Sequence, residues 1–267
     1  MANSFYVTLP SDSSMDVFPD NTVTNYRTKL AHPVELDGEW EVGLVEIQYP
    51  HSWMNVREGE NTLLYYIEDE KDVEGSRAYE IVKISTGYYK NILHLLEALN
   101  RSASTRYPDL FKQHDMFTYN DVTKRVTMDL PPMIPNLSTT TSYLMGPLAE
   151  KLGWDPKSVI NGSWIKAPRA PDPNLGFHSL YVYGDIVQHR LVGDVKVPLL
   201  RIIKVSGEDG EIIDHPIITP HYIPLSKRRF ETVEIDIRNE LGHPVPFVQG
   251  RAIVTLHLRQ RRSSYFT

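Results

Sequence analysis

At 267 residues with a net charge of −6, the chain is long enough to bury roughly 70–75% of the surface its unfolded form exposes, so it needs no covalent or metal staple. It contains no cysteine, which excludes disulfides and thiolate metal clusters. The acidic balance argues against wrapping a nucleic-acid backbone, whose affinity comes from Lys and Arg neutralising phosphates, and no apolar run reaches the ~18–20 residues of a bilayer span.

The first thirty residues read differently from the rest. Met1 to Val7 carries no basic segment followed by an apolar stretch, so no secretory signal is expected. Phe5-Tyr6-Val7-Thr8-Leu9-Pro10 is a short β-like segment, followed by polar residues and then Phe18-Pro19-Asp20-Asn21-Thr22. One expectation is an extended arm over residues 1–30 that pairs only when docked, with Phe5, Tyr6, Val7, Leu9 and Phe18 as candidate neighbour contacts. The other is a first strand of the same body followed by a long loop.

From Trp40 onward the β signal dominates. Trp40, Val42 and Leu44 alternate, the phase slips at Val45, and Ile47 and Tyr49 continue it, which predicts a β-bulge. Leu63 to Ile67 is a continuous apolar run that reads as a strand covered on both sides, and Tyr79 to Ile84 adds another strand. Ile92, Leu95, Leu96 and Leu99 recur at helical spacing and predict an amphipathic helix over 88–100. Met116 to Tyr119 and Val126 to Leu130 form a hairpin across Asn120-Asp121, and a short helix is expected from Pro147 to Leu152, ended by Gly153.

The C-terminal third returns to strands. Leu180 to Val187 reads as covered on two faces, and Val197 to Val205 follows. Gly207-Glu208-Asp209-Gly210 reads as a hairpin turn whose acids would repel phosphate. Val233, Ile235 and Ile237 share one face of a strand over Thr232 to Arg238. Ala252, Val254, Leu256 and Leu258 point inward from a strand over Arg251 to Arg259, with Thr255, His257 and Arg259 outward. These last two strands are either neighbours or on facing sheets. Prolines cluster in 131–135, 168–173 and 216–224, which marks loops or edge connections. Many strands with two short helices define an all-β sandwich or barrel.

Reactive constellations are hard to find. There is no Gly-x-Ser-x-Gly, and Ser179 beside His178 lies in a strand pattern where adjacent side chains face opposite ways. The ten histidines are scattered; His215 and His221, near Asp214, share a proline-rich stretch but lack convergent ligand spacing. No catalytic residue, metal or cofactor is assigned. A hydrolase or isomerase on a sandwich would need a convergent polar cluster that the sequence does not show. Arg259, Arg261 and Arg262 form a basic cluster that reads as solvated or as a contact to an acidic neighbour or nucleic acid. Fifteen Tyr, eight Phe and four Trp exceed what a plain sandwich core requires. Trp53, Trp164 and Tyr222, set beside polar or proline loop residues, are candidate interface aromatics or loop anchors. Exposed rings of this kind also suit a carbohydrate- or receptor-binding module.

Several segments then resemble a known family. They are Phe5 to Ser11, Phe18 to Thr22, Leu36-Asp37-Gly38-Glu39-Trp40-Glu41-Val42-Gly43-Leu44 with Glu46-Ile47 and Tyr49-Pro50, Leu180 to Tyr183 with Asp185 to Val187, Val192 to Asp194 with Pro198 to Arg201, and Gly242 to Phe247 with Gly250 and Val254 to Arg259. Together they resemble the minor capsid, or penton, proteins of Polinton (Maverick) elements and related adintovirus-like DNA viruses. The resemblance implies a single jelly roll over 31–267, with a loop-rich elaboration around 100–175. It also implies a homopentamer at the five-fold vertices of an icosahedral virion, assembled inside the host cell and surrounded by a double-jelly-roll major capsid protein. It implies no catalytic residue.

Overall fold

The computed structural model describes residues 4–68, 77–111, 114–129, 141–161 and 164–261. In chain order, β1 (Ser4–Pro10), β2 (Asn25–Glu35) and β3 (Trp40–Pro50) lead into a block of β4 (Thr62–Glu68), β5 (Arg77–Lys83), α1 (Ile92–Arg106), α2 (Pro108–Phe111), β6 (Phe117–Asn120), β7 (Arg125–Met128), β8 (Thr141–Met145), α3 (Pro147–Leu152), β9 (Lys157–Asn161) and β10 (Ile165–Lys166). The chain then continues through β11 (Ser179–Gly184), β12 (Arg190–Val192), β13 (Val195–Val197), β14 (Leu199–Lys204), β15 (Ile212–Pro216), β16 (Ile223–Pro224), β17 (Arg229–Arg238) and β18 (Ile253–Gln260).

Two compact units result: Met1–Trp53 with Phe177–Thr267, and Met54–Gly176. The loop-rich elaboration expected around 100–175 falls within the second of these units. The separate unit begins at Met54, because the apolar strand at 62–68 pairs with β5 rather than with the sandwich.

The first unit is a jelly roll. One sheet has the order β1-β18-β3-β15, with β16 also on β3, and the other β14-β11-β17-β2. The pairing is nested: β1 with β18, β2 with β17, β3 with β15 and β11 with β14, each antiparallel. This is a long hairpin rolled into two facing sheets. The strands of the two clearest alternating patterns, β17 and β18, lie on different sheets. Val233, Ile235 and Ile237 from one sheet and Val254, Leu256 and Leu258 from the other are all buried. Burying each such side chain stabilises by about 1.5–3 kcal/mol relative to exposure. The slip at Val45 is a bulge, since Thr255 opposes Glu46 while Leu256 opposes Leu44.

Of the two expectations for the first thirty residues, the structure shows the strand: Ser4–Pro10 is an edge strand in register with β18, and Asn25–Glu35 is the edge of the other sheet. The physical reason is Leu9, which is fully buried and whose carbonyl accepts a 3.0 Å hydrogen bond from the Tyr26 hydroxyl. The expectation for 180–187 changes. β11 is covered on one face only: Leu180 and Val182 are buried, whereas Tyr181 and Tyr183 are half-exposed.

The second unit has its own core, formed by Leu95, Leu96 and Leu99 of α1 with Phe117, Val126, Met128, Leu148 and Trp154. The helix expected at 88–100 starts at Ile92 and runs to Arg106. Its start is fixed by Asn91, whose side chain accepts a 3.0 Å bond from the His94 backbone N–H. α3 ends at Gly153, whose φ of 97° and closeness to the Arg169 carbonyl exclude a side chain. The proline cluster at 131–135 lies outside the described residues.

Candidate interaction surface

β1, β18 and β3 turn alternate residues away from the core, and their register places Tyr6 opposite His257 and Ser4 opposite Arg259. The Tyr6 and His257 rings stack at 4.5 Å, and Tyr6 remains 66% exposed. The Tyr222 hydroxyl lies 2.8 Å from His257 Nδ1, and the Arg259 guanidinium sits 3.4 Å over the Tyr222 ring. Arg259 Nε also donates a 2.7 Å bond to Glu41, its neighbour across the β18–β3 pair. Arg261 approaches Glu39 at 3.8 Å and Glu41 at 3.9 Å.

The backbone makes room for this cluster at Gly43. A side chain there would meet Pro220, the His221 carbonyl and Tyr222 at 3.1–3.3 Å, so glycine lets the segment before β16 lie against the sheet. The result is an outward patch of stacked rings with an anchored cation. His257 is held below its usual pKa, by desolvation first and then by Arg259, which favours the neutral ring.

Candidates widely separated in sequence thus converge: Tyr6 from the supposed arm, Arg259 and Arg261 from the basic cluster and Tyr222 from the loop aromatics. The others do not join them. Phe5 and Val7 are half-buried on the inward side of β1, Phe5 lying 5.7 Å from the Trp40 ring, and Leu9 is core. Phe18 carries the Arg27 guanidinium at 4.5 Å. Trp53 is 3% exposed and packed against His51, Phe177 and Phe247. Trp164, in the second unit, is 66% exposed with a positive φ of 59° and meets His114 edge-on. His114 in turn contacts the buried Asp129. Arg262 lies outside the described residues.

Sequence reasoning placed His257 outward on an alternating strand, with a solvent or interface role, but did not join it to the other candidates. It overlooked Glu41, Gly43 and the pair Arg190 and Arg201. Asp214 and His215 are adjacent on β15 and so face opposite ways, and His221 lies in the following segment. Among the described residues no group of three His, Asp or Glu is placed to hold a metal ion, and no helix is long and apolar enough to cross a membrane.

No protein-family model matches the chain, and no curated protein matches it. Among solved structures, a crystal structure of the mavirus penton protein is similar, with a TM-score of 0.52 and 10% sequence identity over 97% of this chain and 100% of that one. The fold is therefore an all-β jelly roll, similar to the fold of that penton protein.

Proposed function

We propose that this chain is a penton-type minor capsid protein that closes into homopentamers at the five-fold vertices of an icosahedral virion. The observation that carries the reading is the likeness in fold to the mavirus penton protein over 97% of this chain and 100% of that one. The nested jelly roll supports it, because a sandwich with two different open flanks suits a ring in which unlike patches meet. The role is structural and uses no reaction or cofactor. The outward Tyr6–His257–Tyr222–Arg259 patch is the surface offered to a neighbour, which at a vertex is a double-jelly-roll major capsid protein. Rigid Tyr and Arg side chains of this kind dominate binding energy where they become desolvated.

Purified protein imaged by electron microscopy is expected to give rings with five-fold averages, and Tyr222→Ala with Arg259→Ala to lose binding to the major capsid protein while keeping the rings. Only two-fold particles or monomers at every concentration contradict the reading.

One observation favours a second reading, a carbohydrate- or receptor-binding module. Trp164 is the exposed tryptophan of the second unit and is suited to stacking on a ligand. Saturable glycan binding that disappears in Trp164→Ala supports this reading; an empty glycan array opposes it.

A further inference from the structure

Arginines in the jelly-roll unit are nearly all matched to acids. Arg27 pairs with Asp20, Arg228 with Glu39, Arg229 with Glu35, Arg238 with Asp236, Arg251 with Asp12, Arg259 with Glu41, and Arg261 with Glu39 and Glu41. Among the described residues two break the pattern. Arg190, at the start of β12, and Arg201, on edge strand β14, pair with no carboxylate, and both are partly buried. Arg190 Nε and Arg201 Nη1 are buried without a hydrogen-bond partner, and Arg190 is tied only through Nη2 to the Leu200 carbonyl at 3.3 Å. Arg201 lies opposite the buried Val182, so its stem enters the rim between the sheets.

The two are close enough to repel. Arg190 is held below its ordinary pKa by desolvation first and then by Arg201, and His221 is lowered by desolvation and by both arginines. Like charges with buried, unsatisfied donors are costly unless an anion completes them. A carboxylate fits a guanidinium fork through two parallel bonds.

We infer that the Arg190–Arg201 rim is a carboxylate receptor completed by a second copy of this chain. This deepens the vertex-subunit reading and rests on it. The rim lies on the flank edged by β14 and β15, opposite the flank where Tyr26 of β2 bonds to Leu9 of β1. A head-to-tail ring brings one flank against the other flank of the next subunit. The chain has a net charge of −6 and carries exposed carboxylates, such as Asp16 and Asp37, that pair with no cation among the described residues. A second copy can therefore supply what the rim lacks, and charge complementarity favours it over an unrelated partner.

The test compares the full chain with Arg190→Gln/Arg201→Gln by sedimentation velocity over a concentration series, with thermal unfolding of the dilute monomer alongside. The double variant is expected to need at least about tenfold more protein to form rings, with a monomer midpoint unchanged or raised because a repulsion has been removed. A lowered monomer midpoint with unchanged ring formation assigns the pair to internal packing and overturns the inference. Rings formed equally well by both proteins overturn the inference and leave the vertex reading standing. A wild type that never forms rings overturns both. A separate arm treats Arg201→Lys with a carbodiimide in a mixture of isotopically labelled and unlabelled chains. An amide from position 201 to an acid of the other isotope supports the inference, and amides confined to one chain overturn it.

Discussion

At the scale of single residues, Ile235 and Tyr6 mark the range of what one side chain contributes to the sandwich. Ile235 is fully buried on β17, and Ile235→Ala is expected to cost about 2–5 kcal/mol in urea denaturation. Tyr6 stacks on His257 but stays exposed, and Tyr6→Ala is expected to cost no more than about 1 kcal/mol. Equal costs would contradict the burial of alternate strand residues in the sandwich core. Three histidines of the jelly roll, His51, His221 and His257, are lowered from the usual value of 6.5, each by desolvation first. Asp209 and Glu211 act in the opposite direction on His51, while Arg259 adds to the effect on His257. The unfolded chain therefore takes up protons first as the pH falls through about 6.5, and stability present above that pH is lost until the folded-state values are passed. The thermal midpoint is expected to be lower at pH 5.5 than at pH 7.5, and His257→Gln to reduce the difference. A midpoint that rises on acidification contradicts this ordering.

Among the elements, β1 is the most consequential, because an arm and an edge strand behave differently when removed. Deleting residues 1–10 takes Leu9 out of the core and uncovers the edge of β18. The thermal midpoint is expected to fall by roughly 10 °C, with a tendency to aggregate; a dispensable arm would leave it unchanged. Gly43→Val is expected to push the segment before β16 off the sheet, costing about 1–3 kcal/mol and speeding proteolysis within 217–222. Alternation made the strands around Val233–Ile237 and Val254–Leu258 legible, and a break in it revealed the bulge at Val45, since period two is a local property. The helix was legible from Ile92, Leu95, Leu96 and Leu99, but its start depended on a cap at Asn91 that periodicity does not report. The outward patch was legible only in pieces. Tyr6, His257 and Tyr222 meet through a strand register and a returning segment, and residues so far apart leave no local signal.

For the whole molecule, the division at Met54 and Gly176 was the least legible feature. It depends on Trp53 meeting Phe177 at 5.0 Å within the jelly roll and on Asn55 bonding Asn174 at 3.0 Å within the second unit, both across more than a hundred residues of chain. Replacing 54–176 with a short Gly/Ser link is expected to leave a folded sandwich with its Trp53 environment intact by fluorescence. A chain that cannot fold without the insertion would show that the two cores are not independent. The central claim concerns assembly, and native mass spectrometry of the purified full chain tests it most directly. The account predicts a dominant species at five times the 30.7 kDa chain mass; a dominant monomer or dimer at concentrations where capsid subunits assemble would contradict it.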